Sequence, residues 1–121
     1  MALKDRKNVK ILIVDDDVIL LDLLKQMLYD FNLRMATNGM EAVEKFKSFE
    51  PDIVLMDIVM PVIDGIEATK EILRINKEAK VIAITAYERQ RGMEMIRAGA
   101  VGILEKPFRK KDLIELINNY I

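Results

Sequence analysis

Residues 9–17, with the sequence VKILIVDDD, decide the fold of this chain. The first six of them are apolar apart from one lysine, which predicts a short strand buried on both faces. Three aspartates follow that strand directly. Three later apolar runs end in the same way: IVLM at 53–56 precedes Asp57, VIAI at 81–84 precedes Thr85, and VGIL at 101–104 precedes the sequence EKP. Each predicted strand therefore ends in polar residues that are able to take part in chemistry.

Between these runs the apolar residues recur at helical spacing. This periodicity predicts helices at 17–31, 41–49, 66–75, 88–98 and 110–120, and one further short strand at 33–36. Strand and helix alternate five times with short loops, which indicates an α/β fold: a (βα)5 unit whose doubly wound parallel sheet carries helices on both faces. No linker or repeat interrupts the pattern. We therefore expect residues 1–121 to form one domain without a separate output domain.

The composition excludes several functional classes. The chain contains neither cysteine nor histidine, which removes disulfides, thiolate nucleophiles, Ser-His-Asp triads and thiolate zinc sites. Its formal net charge of -1 argues against direct binding of nucleic acid. The absence of a run of about 18 apolar residues or of a signal peptide predicts a cytoplasmic protein that does not contact a membrane. Any metal must bind oxygen ligands, which favours Mg²⁺, with Mn²⁺ as an alternative.

The polar residues at the strand ends predict a common site. In a parallel α/β sheet, ligands bind beyond the carboxyl ends of the strands at the point where the strand order reverses. Carboxylates brought together there repel each other, and a hard divalent cation relieves the repulsion. Lys106 would add a fixed positive charge and Thr85 a hydroxyl donor, so the set suits a phosphoryl group. Any one of these aspartates could instead be a helix cap or a turn residue, and the evidence lies in their combination.

Four segments carry a resemblance to a known family. ILIVDDD at 11–17, LMDIVMPVIDG at 55–65, ITAY at 84–87 and AGAVGILEKPF at 98–108 resemble, in order and spacing, the receiver domain of bacterial two-component response regulators, the CheY-like family. The resemblance covers nearly the whole chain and is strongest to stand-alone, single-domain members. It implies a flavodoxin-like strand order, 2-1-3-4-5. It also implies that the protein accepts a phosphoryl group from a sensor histidine kinase. The protein would then either bind an effector or pass the phosphoryl group to a histidine phosphotransfer protein.

The resemblance also implies roles for individual residues. Asp57 would be the phosphoacceptor and would share the metal with its neighbours. Asp16 would bind Mg²⁺ directly, Asp15 would assist, and the backbone carbonyl of Val59 would complete the protein ligands. Lys106 would contact the phosphoryl oxygens.

Other positions correspond to the family's switch and tuning residues. Thr85 would move to donate a hydrogen bond to the phosphoryl group, and a cis peptide to Pro107 would shape the neighbouring loop. Ile103 stands where the family usually has an aromatic switch residue, so coupling of Thr85 to that position is not expected in its usual form. Ala86 belongs to the same switch segment. Val59 and Tyr87 occupy positions that control access of water, and because both are bulky we predict slow autodephosphorylation.

The first predicted helix carries more apolar residues than one buried stripe needs. The resemblance implies that this helix, together with the loop after Lys106, docks against a helical bundle of the kinase. The predicted docking residues are Asp17, Val18, Ile19, Leu20, Leu21, Leu23, Pro107 and Phe108.

Two alternatives stay open at this point. The chain could be a small phosphohydrolase of the haloacid dehalogenase type, with Asp15 as nucleophile, Asp17 as general acid, and Thr85 and Lys106 as later motifs. Its short length and its few acids after the lysine argue against this class. The chain could also be a receiver-like binding module that is never phosphorylated. Under the leading interpretation it is an enzyme only in catalysing its own phosphorylation and slow dephosphorylation.

Overall fold

The computed structural model describes residues 5–86 and 89–121. After a short 3-10 turn, five strands alternate with five helices along this part of the chain. The strands are β1 (Lys10–Val14), β2 (Asn32–Ala36), β3 (Ile53–Asp57), β4 (Val81–Thr85) and β5 (Gly102–Glu105). The helices are α1 (Val18–Met27), α2 (Gly39–Phe49), α3 (Gly65–Ile75), α4 (Arg89–Ala98) and α5 (Lys110–Asn118). All strands are parallel, in the order β2-β1-β3-β4-β5, which confirms the predicted fold class and strand order.

The two faces of the sheet bury two separate apolar layers, because successive side chains in a strand point to opposite sides. Leu12, Val54 and Ala83 face the layer that is covered by helices α2, α3 and α4. Ile13 and Leu55 face the other layer, which α1 and α5 cover. Strands β3 and β4 are buried along their whole length, as the continuous apolar runs predict. Each fully buried isoleucine or leucine contributes about 1.5–3 kcal/mol to the free energy of unfolding.

The helix boundaries differ from the prediction by a few residues. Helices α2 and α3 begin earlier than predicted, because Asn38 and Asp64 cap them with their side chains and so place the following glycine inside the helix. Helix α1 ends at Met27 instead of continuing to Phe31. Phe31 still reaches the core, because a turn follows the helix in which the Phe31 amide donates to the Leu28 carbonyl.

The prediction that Leu21 belongs to an exposed docking surface is wrong. Leu21 is only 6% exposed and lies in the core layer with Leu24, Leu28 and Phe31. Leu21 and Leu24 share one face of α1, and Leu28 and Phe31, which follow the end of the helix, contribute to the same core layer. Leu20 lies at the edge of this face and is half-buried.

Within the described residues, no helix combines the length and the apolar character that a membrane crossing requires.

Candidate functional site

An acidic cluster lies where the strand order reverses between β1 and β3. Asp15 and Asp16 follow β1 directly, and Asp57 is the last residue of β3. Each of the three side chains offers one carboxylate oxygen, and these oxygens lie within 4.8 Å of one another. Asp15 and Asp57 are buried, whereas Asp16 is exposed. The structure therefore brings together three carboxylates that the sequence placed at two different strand ends.

Backbone amides hold two of these carboxylates in place. The Asp17 amide donates to Asp15 Oδ1 at 2.9 Å, and the Ile58 amide donates to Asp57 Oδ1 at the same distance. The Asp15 amide in turn donates to the Ala36 carbonyl of β2 at 3.1 Å, which ties the end of β1 to its neighbour. Such hydrogen bonds to a charged acceptor are stronger than neutral ones and restrict the side-chain rotamers.

Lys106 provides a positive charge to this cluster. Its Nζ lies 3.4 Å from Asp15 Oδ2 and 3.7 Å from Asp57 Oδ1. The Lys106 backbone amide donates to the Thr85 carbonyl at 2.8 Å, so the loop after β5 is anchored to the end of β4. The Lys106–Pro107 peptide bond is cis, as the resemblance implied. One ammonium group thus faces two buried carboxylates from a third strand end.

Three carboxylates and one lysine leave the cluster with an excess of negative charge. Burial, which is the largest cause, and the charge of Asp15 raise the pKa of Asp57, which is about 6 instead of its ordinary 3.8. Lys106 and the Ile58 amide act in the opposite direction but do not cancel the effect. A carboxyl group in this position is easier to ionise when an additional positive charge is present. Oxygen ligands with an uncompensated negative charge are consistent with a divalent metal site.

Thr85 lies beside the cluster at the end of β4, and its side chain is buried. Its hydroxyl donates a hydrogen bond to the Ala86 carbonyl at 2.6 Å. A hydroxyl has one hydrogen to donate, so this bond must break before Thr85 can donate elsewhere. Tyr87, the other predicted residue of this segment, lies outside the described residues.

The remaining tuning positions are exposed. Val59 follows the cluster in the β3–α3 loop and is 64% exposed. Ile103 of β5 is 37% exposed, and it packs against α4, where a Cβ atom on Gly92 would lie 3.2 Å from its Cδ1 atom.

The predicted docking residues separate into exposed and buried groups. Val18, Ile19 and Leu23 are exposed on α1. Asp17 is the N-cap of this helix, and its carboxylate accepts hydrogen bonds from the amides of Ile19 and Leu20. In the loop after Lys106, Pro107 is exposed, whereas Phe108 is half-buried against the core layer that α1 also covers. Because Asp17 acts as a helix cap and lies outside the carboxylate cluster, it does not stand where the phosphohydrolase alternative needs a general acid.

The sequence predicted no role for Asp64 and Gly65, the last two residues of the segment PVIDG, and two contacts were missed. Asp64 caps α3 and also forms an ion pair with Arg91 of α4. Gly65 packs directly against the backbone of Asp57. The Asp-Gly pair in front of a helical pattern is a recognisable N-cap signal, but nothing in the local sequence points to Arg91.

The fold and this cluster define a small, doubly wound α/β protein with a candidate cation site at its switch point. Comparison with known proteins makes the assignment specific. The sequence model of the response regulator receiver domain matches residues 11–118. The chain is 40% identical over 115 residues to the chemotaxis protein CheY of Halobacterium salinarum, covering 93% of this chain and 96% of that protein.

Two further comparisons agree with this result. The chain is 42% identical over 113 residues to the chemotaxis protein CheY of Thermotoga maritima, covering 90% and 94% of the two chains. A crystal structure of a CheX–CheY–BeF3–Mg²⁺ complex from Borrelia burgdorferi contains a similar chain, with a TM-score of 0.86, 32% identity, and coverage of 93% of this chain and 90% of that one. The chain therefore belongs to the CheY-like family of response regulator receiver domains, which act in two-component signalling.

Proposed function

We propose that this protein is a phosphorylated switch or relay whose phosphoacceptor is Asp57. The observation that carries the proposal is the position of this carboxylate, which lies at the end of β3 close to two other aspartates and to the ammonium group of Lys106. The Asp57 side chain is accessible enough to react but is largely shielded from bulk water. A carboxylate in such a pocket is a suitable nucleophile in a chain that has no cysteine and no histidine.

In the proposed reaction, an Asp57 carboxylate oxygen attacks the phosphorus atom of a phosphohistidine on a sensor histidine kinase. A P–O bond forms as the P–N bond breaks, and the leaving imidazole takes up a proton. The product is an acyl phosphate on Asp57 and a neutral histidine on the kinase. A small acyl phosphate would serve in the same way, with its carboxylate as the leaving group.

We propose Mg²⁺ as the resident cation, with Mn²⁺ as a substitute. Asp15, Asp16 and Asp57, with the backbone carbonyl of Val59, would hold it, because hard oxygen donors are what these ions prefer. The bound cation would supply positive charge that offsets both the carboxylates and the phosphoryl oxygens.

Lys106 and Thr85 would contact the phosphoryl group itself. The Lys106 ammonium group already lies 3.7 Å from Asp57 Oδ1, and it would balance the charge that develops on the phosphoryl oxygens. Thr85 would exchange its present hydrogen bond to Ala86 for one to a phosphoryl oxygen. That exchange would release the Ala86 carbonyl, which is exposed at the end of β4, and in this way phosphorylation would change the surface of the protein. Ile103 would take a smaller part in this response than an aromatic residue would.

We propose that the kinase docks on the exposed apolar face of α1, which consists of Val18, Ile19 and Leu23. These side chains lie in the first two turns of α1, which begins directly after the acidic residues that follow β1, so a helical partner seated there would reach the proposed phosphoacceptor. Exposed apolar side chains next to a reactive pocket are typical of a protein interface. An effector protein or a histidine phosphotransfer protein is proposed as the second partner, and direct contact with nucleic acid is not.

The proposal is tested by phosphorylation with acetyl phosphate and Mg²⁺, followed by intact-mass and peptide-level mass spectrometry. We expect one phosphoryl group on Asp57, and we expect Asp57→Asn or a chelator to abolish it. Asp22→Asn, which removes an exposed carboxylate from α1, serves as the control and should be labelled like the wild type. Label on Asp15 would instead support the phosphohydrolase alternative, and the absence of any label would support a receiver-like binding module.

Three expectations from the sequence stay predictions. These are a cytoplasmic location, the assignment of residues 1–121 to a single receiver unit, and slow hydrolysis of the phosphorylated form.

A further inference from the structure

The ion pair between Arg91 and Asp64 joins the phosphoacceptor loop to helix α4. Arg91 Nη2 lies 3.2 Å from Asp64 Oδ2, and both side chains are about one-third exposed, at 32% and 34%. The other carboxylate oxygen of Asp64 accepts hydrogen bonds from the Ile66 and Glu67 amides at the start of α3. One carboxylate thus caps one helix and pairs with a cation on the next helix.

The loop that ends at Asp64 is held under strain. Val62 has a φ angle of 72°, a left-handed conformation that is rare and costly for a β-branched residue. Its side chain is exposed, so burial of Val62 does not compensate for this cost. Such a conformation persists only when the surrounding structure holds it in place.

Close backbone contacts hold the two ends of this loop. The Gly65 amide donates to the Ile58 carbonyl at 2.7 Å, which closes the loop beside Asp57. The start of α2 lies against the loop as well, because a Cβ atom on Gly39 would be 2.3 Å from the Ile63 carbonyl oxygen. A displacement of Asp64 would therefore be passed to the backbone next to the phosphoacceptor.

The described part of helix α4 has two other polar contacts near this ion pair. Met95 lies one turn after Arg91, and its sulfur accepts a hydrogen bond of 3.8 Å from the buried Thr69 hydroxyl of α3. A hydrogen bond to a thioether is weak. Arg91 also approaches Glu94 of its own helix, at 3.6 Å from Nη1. Among the described residues, Asp64 is therefore the charged group outside α4 that pairs with this face of the helix.

We propose that Arg91 is a positioning residue for the phosphoacceptor loop, and that its ion pair with Asp64 couples the position of α4 to that of the loop. This inference rests on the proposed function, because it assigns the coupling to the loop that follows the phosphoacceptor. The ion pair would connect Asp57 to α4 by a route that does not pass through Thr85. A change in the loop would loosen the hold on α4, and a partner bound to α4 would in turn alter the loop.

The coupling is tested first in the unphosphorylated protein by amide hydrogen exchange. Arg91→Gln should increase exchange of the Gly65 and Ala68 amides about two- to fivefold, as expected for loss of a partly exposed ion pair. Asp64→Asn retains a capping side chain and should increase exchange in α4 by a similar factor. Arg91→Lys should restore most of the protection. Arg97→Gln removes the same charge from the same helix and should leave the Gly65 amide unchanged.

The double variant Arg91→Gln/Asp64→Asn distinguishes coupling from two separate effects. If the residues act through one ion pair, the double variant exchanges no faster than the more affected single variant. Independent, additive effects would overturn the proposal, and so would an unchanged Gly65 amide in Arg91→Gln.

A second experiment examines the phosphorylated protein. With acetyl phosphate and Mg²⁺, Arg91→Gln should still be labelled on Asp57. Phosphorylation of the wild type should change the amide hydrogen exchange of α4, and in Arg91→Gln this change should be about two- to fivefold smaller. An undiminished change in α4 would overturn the coupling. Failure of the wild type to be labelled would contradict the proposed function instead, and the exchange results on the unphosphorylated protein would still decide the role of Arg91.

Discussion

Gly65 lies so close to the backbone of Asp57 that position 65 has no room for a side chain: a Cβ atom on Gly65 would be 2.1 Å from the Asp57 carbonyl oxygen. The start of α3 is thereby seated directly on β3, the strand that ends in the proposed phosphoacceptor.

Gly65→Ala is therefore expected to lower the free energy of unfolding by about 1–3 kcal/mol, because backbone atoms must move apart to accept the methyl group. Chemical denaturation of the purified protein measures the effect. Gly102→Ala is the matched control, since its nearest neighbours would be 3.6 Å away, which is ordinary contact distance. Equal stability of the two variants would show that the close approach is not maintained in solution.

The raised pKa of Asp57 predicts how stability depends on pH when divalent cations are removed. The folded-state pKa is about 6, against an ordinary value of 3.8, so the folded state favours the protonated form. The stability that this carboxyl contributes is complete below about pH 3.8 and is lost as the pH rises through about 6.

Asp57→Asn stays uncharged, so its stability relative to the wild type should increase by about 1–2 kcal/mol between pH 4 and pH 7.5. Denaturation of both proteins in the presence of a chelator gives this difference. Asp22→Asn, which removes an exposed carboxylate of α1, serves as the control. A difference that is constant across this pH range would contradict the prediction.

Addition of Mg²⁺ is expected to stabilise the wild type by about 1.4 kcal/mol when its concentration is ten times the dissociation constant. Asp16→Asn should lose most of this stabilisation, because it removes a proposed ligand. Asp17→Asn changes the adjacent charge but keeps the capping side chain of α1, and it should respond to Mg²⁺ like the wild type. Thermal denaturation with and without the cation measures both, and equal responses of the two variants would remove Asp16 from the ligand set.

Variants of Leu21 and Leu23 distinguish an effect on stability from an effect on docking, because one leucine of α1 is buried and the other is exposed. Leu21 is 6% exposed and Leu23 is 46% exposed. Leu21→Ala should cost about 2–5 kcal/mol because it leaves a cavity in the core, whereas Leu23→Ala should cost less than about 1 kcal/mol.

In a phosphotransfer assay with the kinase, Leu23→Ala should react more slowly although its fold is intact. The same variant should react with acetyl phosphate at the wild-type rate, because a small donor does not need the docking surface. A wild-type rate with the kinase would show that this side chain lies outside the interface.

Val59 is expected to slow hydrolysis of the phosphorylated form, because its exposed side chain lies in the loop after Asp57 and is unable to orient a water molecule. Val59→Asn introduces an amide that can hold a water by hydrogen bonds, and it should hydrolyse roughly tenfold faster. Val59→Ile keeps the side chain apolar and should remain slow. Decay of the phosphorylated protein, followed by mass spectrometry after removal of the donor, measures all three rates.

Part of the site follows directly from local sequence. Asp57, Thr85 and Lys106 each come at the end of an apolar run, and parallel strands in one sheet present their carboxyl ends at the same edge. Their convergence therefore requires only that the runs be strands of a single parallel sheet. The ion pair of Asp64 with Arg91 does not follow in this way, because Asp64 precedes α3, Arg91 lies in α4, and the two residues are 27 positions apart. Their contact depends on how α3 and α4 pack.

The amino-acid sequence by itself determined the number, type and order of the elements and the residue types at the strand ends, because hydrophobic periodicity and helix caps act over a few neighbouring residues. Only the tertiary structure decided which side of α1 is buried, the distances of Lys106 from Asp15 and Asp57, and the contact of Gly65 with the Asp57 backbone. Several faces of a helix rich in leucine satisfy the same periodicity. Packing against β1 selects the face with Leu21, because that face fills the core layer that α1 shares with α5.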